Sequence, residues 1–367
     1  MSHVLNLARG ERVRVRSEEE ILATLDTQGD LDGLPFMPEM LRFCGRELQV
    51  DARADKTCDT ISGSLASRGM KHAVHLADVR CDGAAHGGCE ADCLIFWKEA
   101  WLERIGTPRV HPLWRWVADA APNAEPPKAE TNCCTEDLDE HAMRSPATAD
   151  HGPVYRCQTT ELLSATTPLS AWAPRQYLRD WLSGNVPLDY ILRIAILRIL
   201  RRIVVLGRGF QLKLKFYDAM ARLFGEPAWP YHAGRLSGRT PSEQLDLQPG
   251  EWVKVRSHEE ILETLNDRSN RGMSFTAEMV RYCGRTFRVR SRVDQILDEA
   301  TGELISMKRD CVILEDVVCR SECSTGRLFC PRAIYPYWRE IWLRRASPPA
   351  PTPTSTNTPG ASGSVAQ

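Results

Sequence analysis

Between Arg80 and Ile105 the chain reads RCDGAAHGGCEADCLIFWKEAWLERI, which sets Cys81, His86, Cys89 and Cys93 on and beside a glycine-rich turn. Thiols and an imidazole packed this closely in a reducing compartment suit a metal ion, because unpaired they are open to oxidation and costly to desolvate. Zinc is the default ion for such donors, although thiolate-rich sites also take iron. A related segment, VCRSECSTGRLFCPRAIYPYWREIWLRR, runs from Val318 to Arg345.

The recurrence extends upstream. GERVRVRSEEEILATL (10–25) matches GEWVKVRSHEEILETL (250–265) at an offset of 240, FMPEMLRFCGR from Phe36 answers FTAEMVRYCGR from Phe275, and FWKEAWLERI from Phe96 answers YWREIWLRRA from Tyr337. Glu39 and Glu278, Met40 and Met279, and Trp97 and Trp338 are identical pairs. Repetition on this scale means two copies of one domain-sized unit, over 10–108 and 248–346. Three thiols recur in alignment: Cys44 with Cys283, Cys81 with Cys319 and Cys89 with Cys330. A tetrahedral site needs a fourth donor, which His86 offers in the first copy and Cys323 in the second. The expected sets are Cys44, Cys81, His86 and Cys89, and Cys283, Cys319, Cys323 and Cys330, one zinc each. Gly45, Gly284, Gly87 and Gly88 suit the chain reversals around an ion. The plainer alternative is that these cysteines are small buried hydrophobes.

Four reactive residues of the first copy lack a counterpart in the second: Cys58 faces Leu297, His72 faces Asp310, His75 faces Ile313 and Cys93 faces Ile334. With His86 they could form a thiol nucleophile with its base, or a metal with an open position, as in a thiol- or metal-dependent enzyme. Leucine and isoleucine at the sister positions favour packing instead. Cys311 aligns with Ala73 and reads as core; Cys133, Cys134 and Cys157 read as incidental. Trp97 with Trp101, and Trp338 with Trp342, are four apart, the spacing of one helix face, which predicts a buried aromatic helix. Glu99 and Glu340 read as solvated or salt-bridged rather than as acids.

The elements that must hold these residues are short. RVRVR and WVKVR alternate as half-buried strands, and RELQVDAR, RTFRVRSR, HAVHLADVRC and CVILEDVVC supply further strands. Ser17 and Ser257 cap helices of two or three turns with glutamates in their first turns. The reading is an α+β protein: two divergent copies of a small SH3-like or zinc-knuckle unit, each too thin for a large core and helped shut by metal. Residues 118–165, rich in Ala, Pro, Glu, Asp and Thr, read as a flexible linker, and the Pro- and Thr-rich tail 347–367 as disordered. Residues 166–240 read as a basic helical segment, with Asn185 as N-cap and Pro187 in the first turn of a helix over 188–206. Residues 168–240 hold twelve Lys and Arg against four Asp and Glu. Arg193, Arg198, Arg201 and Arg202 make a membrane span costly and leave a membrane-surface contact or a protein partner.

Net charge near zero gives no global field toward nucleic acid, and the glutamates beside the basic strands weaken that reading further. The N-terminal residues lack a secretory apolar core, so a cytoplasmic location and reduced thiols are expected. The motifs FMPEMLRFCG, KTCDTI, CDGAAHGGCEADCLIFWKEAWL, YRCQTTELLSATTPL and FCPRAIYPYWREIWL together resemble a group of bacterial tandem-repeat, cysteine-rich proteins with no established activity, over most of residues 10–345. The resemblance implies the layout and no reaction. It also implies a histidine three residues before Cys330, where this chain has Arg327. The expected function is a zinc-stabilised binding or scaffold protein, accessory to a biosynthetic or membrane-associated system.

Overall fold

The computed structural model describes residues 4–64, 66–107, 111–116, 133–148, 151–206, 209–230, 232–324 and 326–348. The fold is α+β, with short helices and antiparallel sheets. In the first copy β1 (Arg12–Val15), β2 (Glu47–Arg53), β3 (Ala73–Arg80), β4 (Leu94–Lys98) and β5 (Leu102–Ile105) form one sheet in the order β4-β3-β2-β1-β5. In the second, β6 (Trp252–Val255), β7 (Thr286–Arg292), β8 (Cys311–Leu314), β9 (Trp338–Arg339) and β10 (Leu343–Arg345) repeat that order as β9-β8-β7-β6-β10. The registers correspond as well. His75 stands opposite Ala52 and Ile313 opposite Ser291, each beside an irregularity in the pairing.

Alternation places Val13 and Val15 inward at no exposure, with Arg12 and Arg14 outward, and Val253 and Val255 do the same. Ser17 and Ser257 cap α1 (Glu18–Leu22) and α6 (His258–Leu262) through full capping boxes with Glu20 and Glu260. These helices have five residues, little more than one turn instead of two or three, because Leu25 and Leu265 must turn back into the cores.

The aromatic segment is not a helix. One 3₁₀ turn, Glu99–Trp101 or Glu340–Trp342, joins two strands and still sends all four tryptophans into the cores. Aromatic and β-branched residues favour the pleated surface, and spacing alone does not separate the two solutions. The turn buries Glu99 and Glu340 completely, so neither is solvated. Glu99 accepts from the backbone N–H groups of Leu5, Asn6 and Leu7 at 2.8–2.9 Å and pairs with buried Arg53 at 2.8 Å. Glu340 binds Leu245, Asp246 and Leu247 in the same way and pairs with Arg292 at 3.3 Å.

Residues 133–148 and 151–165 are not a linker. They carry α2 (Thr135–His141), and Cys133, Leu138, Cys157 and Leu162 are buried in the first core. Composition hid this because the apolar anchors are few and far apart. Residues 118–132 and 149–150 of the expected linker, and the tail from 349, lie outside the described residues. The basic segment forms α3 (Pro174–Leu182), α4 (Leu188–Val205) and α5 (Phe210–Leu223). Pro187, not Asn185, stands at the α4 N-cap. Asn185 instead clamps the end of β2, its amide bonded at 2.9 Å to both the N–H and the carbonyl of Arg53. Among the described residues no helix is long and apolar enough to cross a membrane.

Candidate metal centre

The turn after β3 closes tightly on itself. A side chain at Gly83 (φ +70°) would meet the Cys89 carbonyl oxygen at 2.0 Å, and one at Gly87 (φ +62°) would meet the Tyr155 hydroxyl at 2.6 Å. Only glycine fits, and the resulting knuckle brings Cys81 and His86 against Glu39 on the 3₁₀ helix Pro38–Phe43. Donor atoms of Glu39, Cys81 and His86 all lie within 4.8 Å of one another.

Each donor is held from behind. The His86 ring is buried, and its Nε2 donates to the Arg156 carbonyl at 3.0 Å, which leaves Nδ1 facing the carboxylate. Nδ1 is 3.0 Å from Glu39 Oε1 yet lacks a directed hydrogen bond, and Glu39 Oε2 has no partner at all. The Cys81 thiol donates to Glu39 Oε1 at 2.9 Å. Burial raises the Glu39 carboxyl, but the close imidazole of His86 and the Cys81 thiol outweigh it and hold it below the ordinary value. Burial, then the Glu39 charge, push the Cys81 thiol well up. A thiol in such a place ionises only with a cation beside it, and a divalent ion among these atoms would supply that charge and satisfy both unpartnered atoms. The carbonyl behind the imidazole is the usual outer support of a metal-bound histidine.

This set differs from the expected one. Glu39 takes the place given to Cys44 and Cys89. Cys44 is half-buried beyond the 3₁₀ helix, packed on the first core, and its sulfur lies outside the group. Cys89 shares a cavity of about 40 Å³ with Cys81 and His86, but its sulfur turns away to accept from Leu297 N at 3.2 Å. The sequence carried a signal for Glu39: an acid identical in both copies inside an otherwise apolar motif.

In the second copy the four thiols do not form a cluster among the described residues. Cys283 packs on the second core, where burial pushes its thiol up to about 12. Cys319 stands 3.6 Å from Ser321 Oγ, Cys323 lies beside Arg201, and Cys330 faces Cys58 of the first copy. The counterparts of Glu39, Cys81 and His86 are Glu278, Cys319 and Arg327. Burial opposes the Arg327 charge, but the sulfurs of Cys58, Cys319 and Cys330 more than offset it. A fixed guanidinium thus stands where the first copy has an imidazole.

Of the other reactive residues, His75 and Cys58 are buried, and His72 and Cys93 are half-buried. His75 is wholly buried, its Nδ1 2.9 Å from the Ile95 carbonyl, and desolvation lowers its pKa to about 4. Burial raises Cys93 to about 12. Cys58 is 1% exposed; the hydrogen bond from Cys330, with Arg332 and Arg327 nearby, holds its thiol low. His72, with φ +52°, lends its carbonyl to Glu99 N. Cys311 is core, as expected; Cys133 and Cys157 are buried and Cys134 is exposed. No known family model and no curated protein matches this chain.

Proposed function

We propose that the protein is a cytoplasmic binding or scaffold protein built on two SH3-like units, the first clipped by one zinc ion at Glu39, Cys81 and His86. One observation carries the binding reading: α4 buries Ile191, Ile194 and Leu197 but leaves Leu188, Leu192, Ile196, Ile199 and Ile203 outward, with Leu192 and Ile199 more than half exposed. On α5, Leu212 and Phe216 continue this unshielded apolar surface. Such faces mark contact surfaces, and the surplus of basic residues over 168–240 suits a partner at an anionic membrane surface.

Two measurements on the full chain test it. Elemental analysis should give one zinc per chain. Co-sedimentation with vesicles of phosphatidylcholine and phosphatidylserine should show binding that weakens with salt and is lost in Leu192→Ser with Ile199→Ser. Absence of binding at every lipid composition ends the membrane part and leaves the face to a protein partner.

A second reading, a metal enzyme, has one observation in its favour: three protein donors leave a fourth position, as in catalytic zinc sites. The adjoining cavity of about 40 Å³ has room for water but not for a drug-sized substrate, and the binding reading keeps precedence.

A further inference from the structure

The first copy fills the hollow beside its knuckle with another part of its own chain. Residues 156–160 lie across it. His86 donates to the Arg156 carbonyl, and the buried Gln158 amide accepts from Phe96 N at 2.8 Å and donates to the carbonyls of Phe96 and Pro35 at 2.9 and 3.0 Å. What remains is the 40 Å³ cavity walled by Cys81, His86 and Leu94.

The second copy has a cleft of about 620 Å³ walled by Cys319, Arg327 and Tyr335, the residues that align with those three. Here the space stays open. Its lining is mainly apolar, and Glu278, the counterpart of Glu39, contributes a buried Oε2 with no partner. Burial without full compensation raises the pKa of that carboxyl. An acceptor in this position asks for an N–H.

We infer that this cleft is a docking groove for an extended polypeptide segment of a partner protein, held as the first copy holds its own residues 156–160. The inference rests on the reading of the chain as a binding protein and names the chemistry of the partner. A backbone carbonyl meets Arg327 as Arg156 meets His86, a Gln or Asn side chain takes the place of Gln158 at the wall formed by Ser274, the counterpart of Pro35, and, beyond what residues 156–160 do in the first copy, a backbone N–H of the segment meets the unpartnered Glu278 Oε2. The first copy is closed to such a partner because it carries the segment itself.

Panning random short peptides against the full chain tests the inference, with counter-selection against Ser274→Trp, whose indole fills the exposed rim of the cleft. Enriched peptides should carry an amide residue, bind one per chain, and lose about tenfold in affinity in both Ser274→Trp and Ala277→Trp. Thermal unfolding identifies any variant that has lost its fold, in which case the other decides. A chelator should leave peptide binding intact, since the proposed zinc lies in the other copy, so failure of the zinc reading and failure of the groove are separate results. Peptides that bind the wild type and both tryptophan variants equally, no enrichment, or protection of the cleft by small molecules alone would overturn the inference.

Discussion

His86 and Arg327 occupy equivalent places in the two copies, the one against buried Glu39 and Cys81, the other near Cys319 and half-buried Glu278, and they answer one electrostatic problem in two ways. A buried carboxylate with an unpartnered oxygen is costly unless a positive charge faces it. Arg327 brings a permanent charge that offsets the burial of Glu278 only in part, whereas an imidazole leaves room for an ion to supply it. His86→Arg should therefore abolish the proposed zinc binding yet keep the fold, while His86→Ala should remove both, at about 3–5 kcal/mol in chemical unfolding. Equal destabilisation by the two would refute the surrogate role. A second buried imidazole gives a pH test. The His75 pKa is lowered in the fold, so the unfolded chain binds the extra proton. Its contribution is complete above the unfolded value of about 6.5 and is lost as pH falls toward 4, on the order of 3 kcal/mol in all. His75→Ile, which copies Ile313, should flatten the fall in urea midpoint between pH 7 and pH 4.5.

At the scale of elements, the clasp around Glu99 ties the segment before β1 to the turn before β5 through three N–H groups and Arg53. Glu99→Gln keeps the shape but removes one of the two carboxylates on the Arg53 guanidinium, 1% exposed, leaving only Asp55 opposite it, and a loss of about 1–3 kcal/mol is expected. Arg292 is 22% exposed, so Glu340→Gln should cost clearly less in the same melt; the reverse order would contradict the burial argument. The strands and the capped helices were legible because period-two alternation and Ser-x-x-Glu act locally. Glu39, Gln158 and the clasp were not, because their partners lie from tens to more than a hundred residues away and no local pattern encodes them. The aromatic turn misled for a different reason: four-residue spacing across a strand, a 3₁₀ turn and a strand mimics a helix face.

For the whole molecule, the knuckle of the first copy is also the seam between the copies. The hairpin of the second copy, strands Gln295–Leu297 and Leu304–Ser306, rests on it. Gln295 donates to the Gly87 carbonyl at 2.9 Å, Glu90 N donates to the Gln295 carbonyl at 3.0 Å, Leu297 N donates to Cys89 Sγ, and the Leu297 side chain enters the first core. Alongside, buried Arg332 bridges Thr60 of the first copy at 2.9 Å and Glu299 of the second at 2.8 Å, and Arg80 stacks on Tyr335 at 4.1 Å. An ion at Glu39, Cys81 and His86 would therefore stiffen the surface on which the second copy sits. Removing it should loosen both faces of that seam together, while the clasps and sheet centres, whose bonds lie elsewhere, stay closed. Hydrogen exchange on the full chain, with and without chelator, should show faster exchange confined to 82–93 and 294–306. Acceleration spread evenly over both sheets would mean that the ion supports global folding rather than this joint, and acceleration of 82–93 alone would mean that the hairpin does not depend on the knuckle.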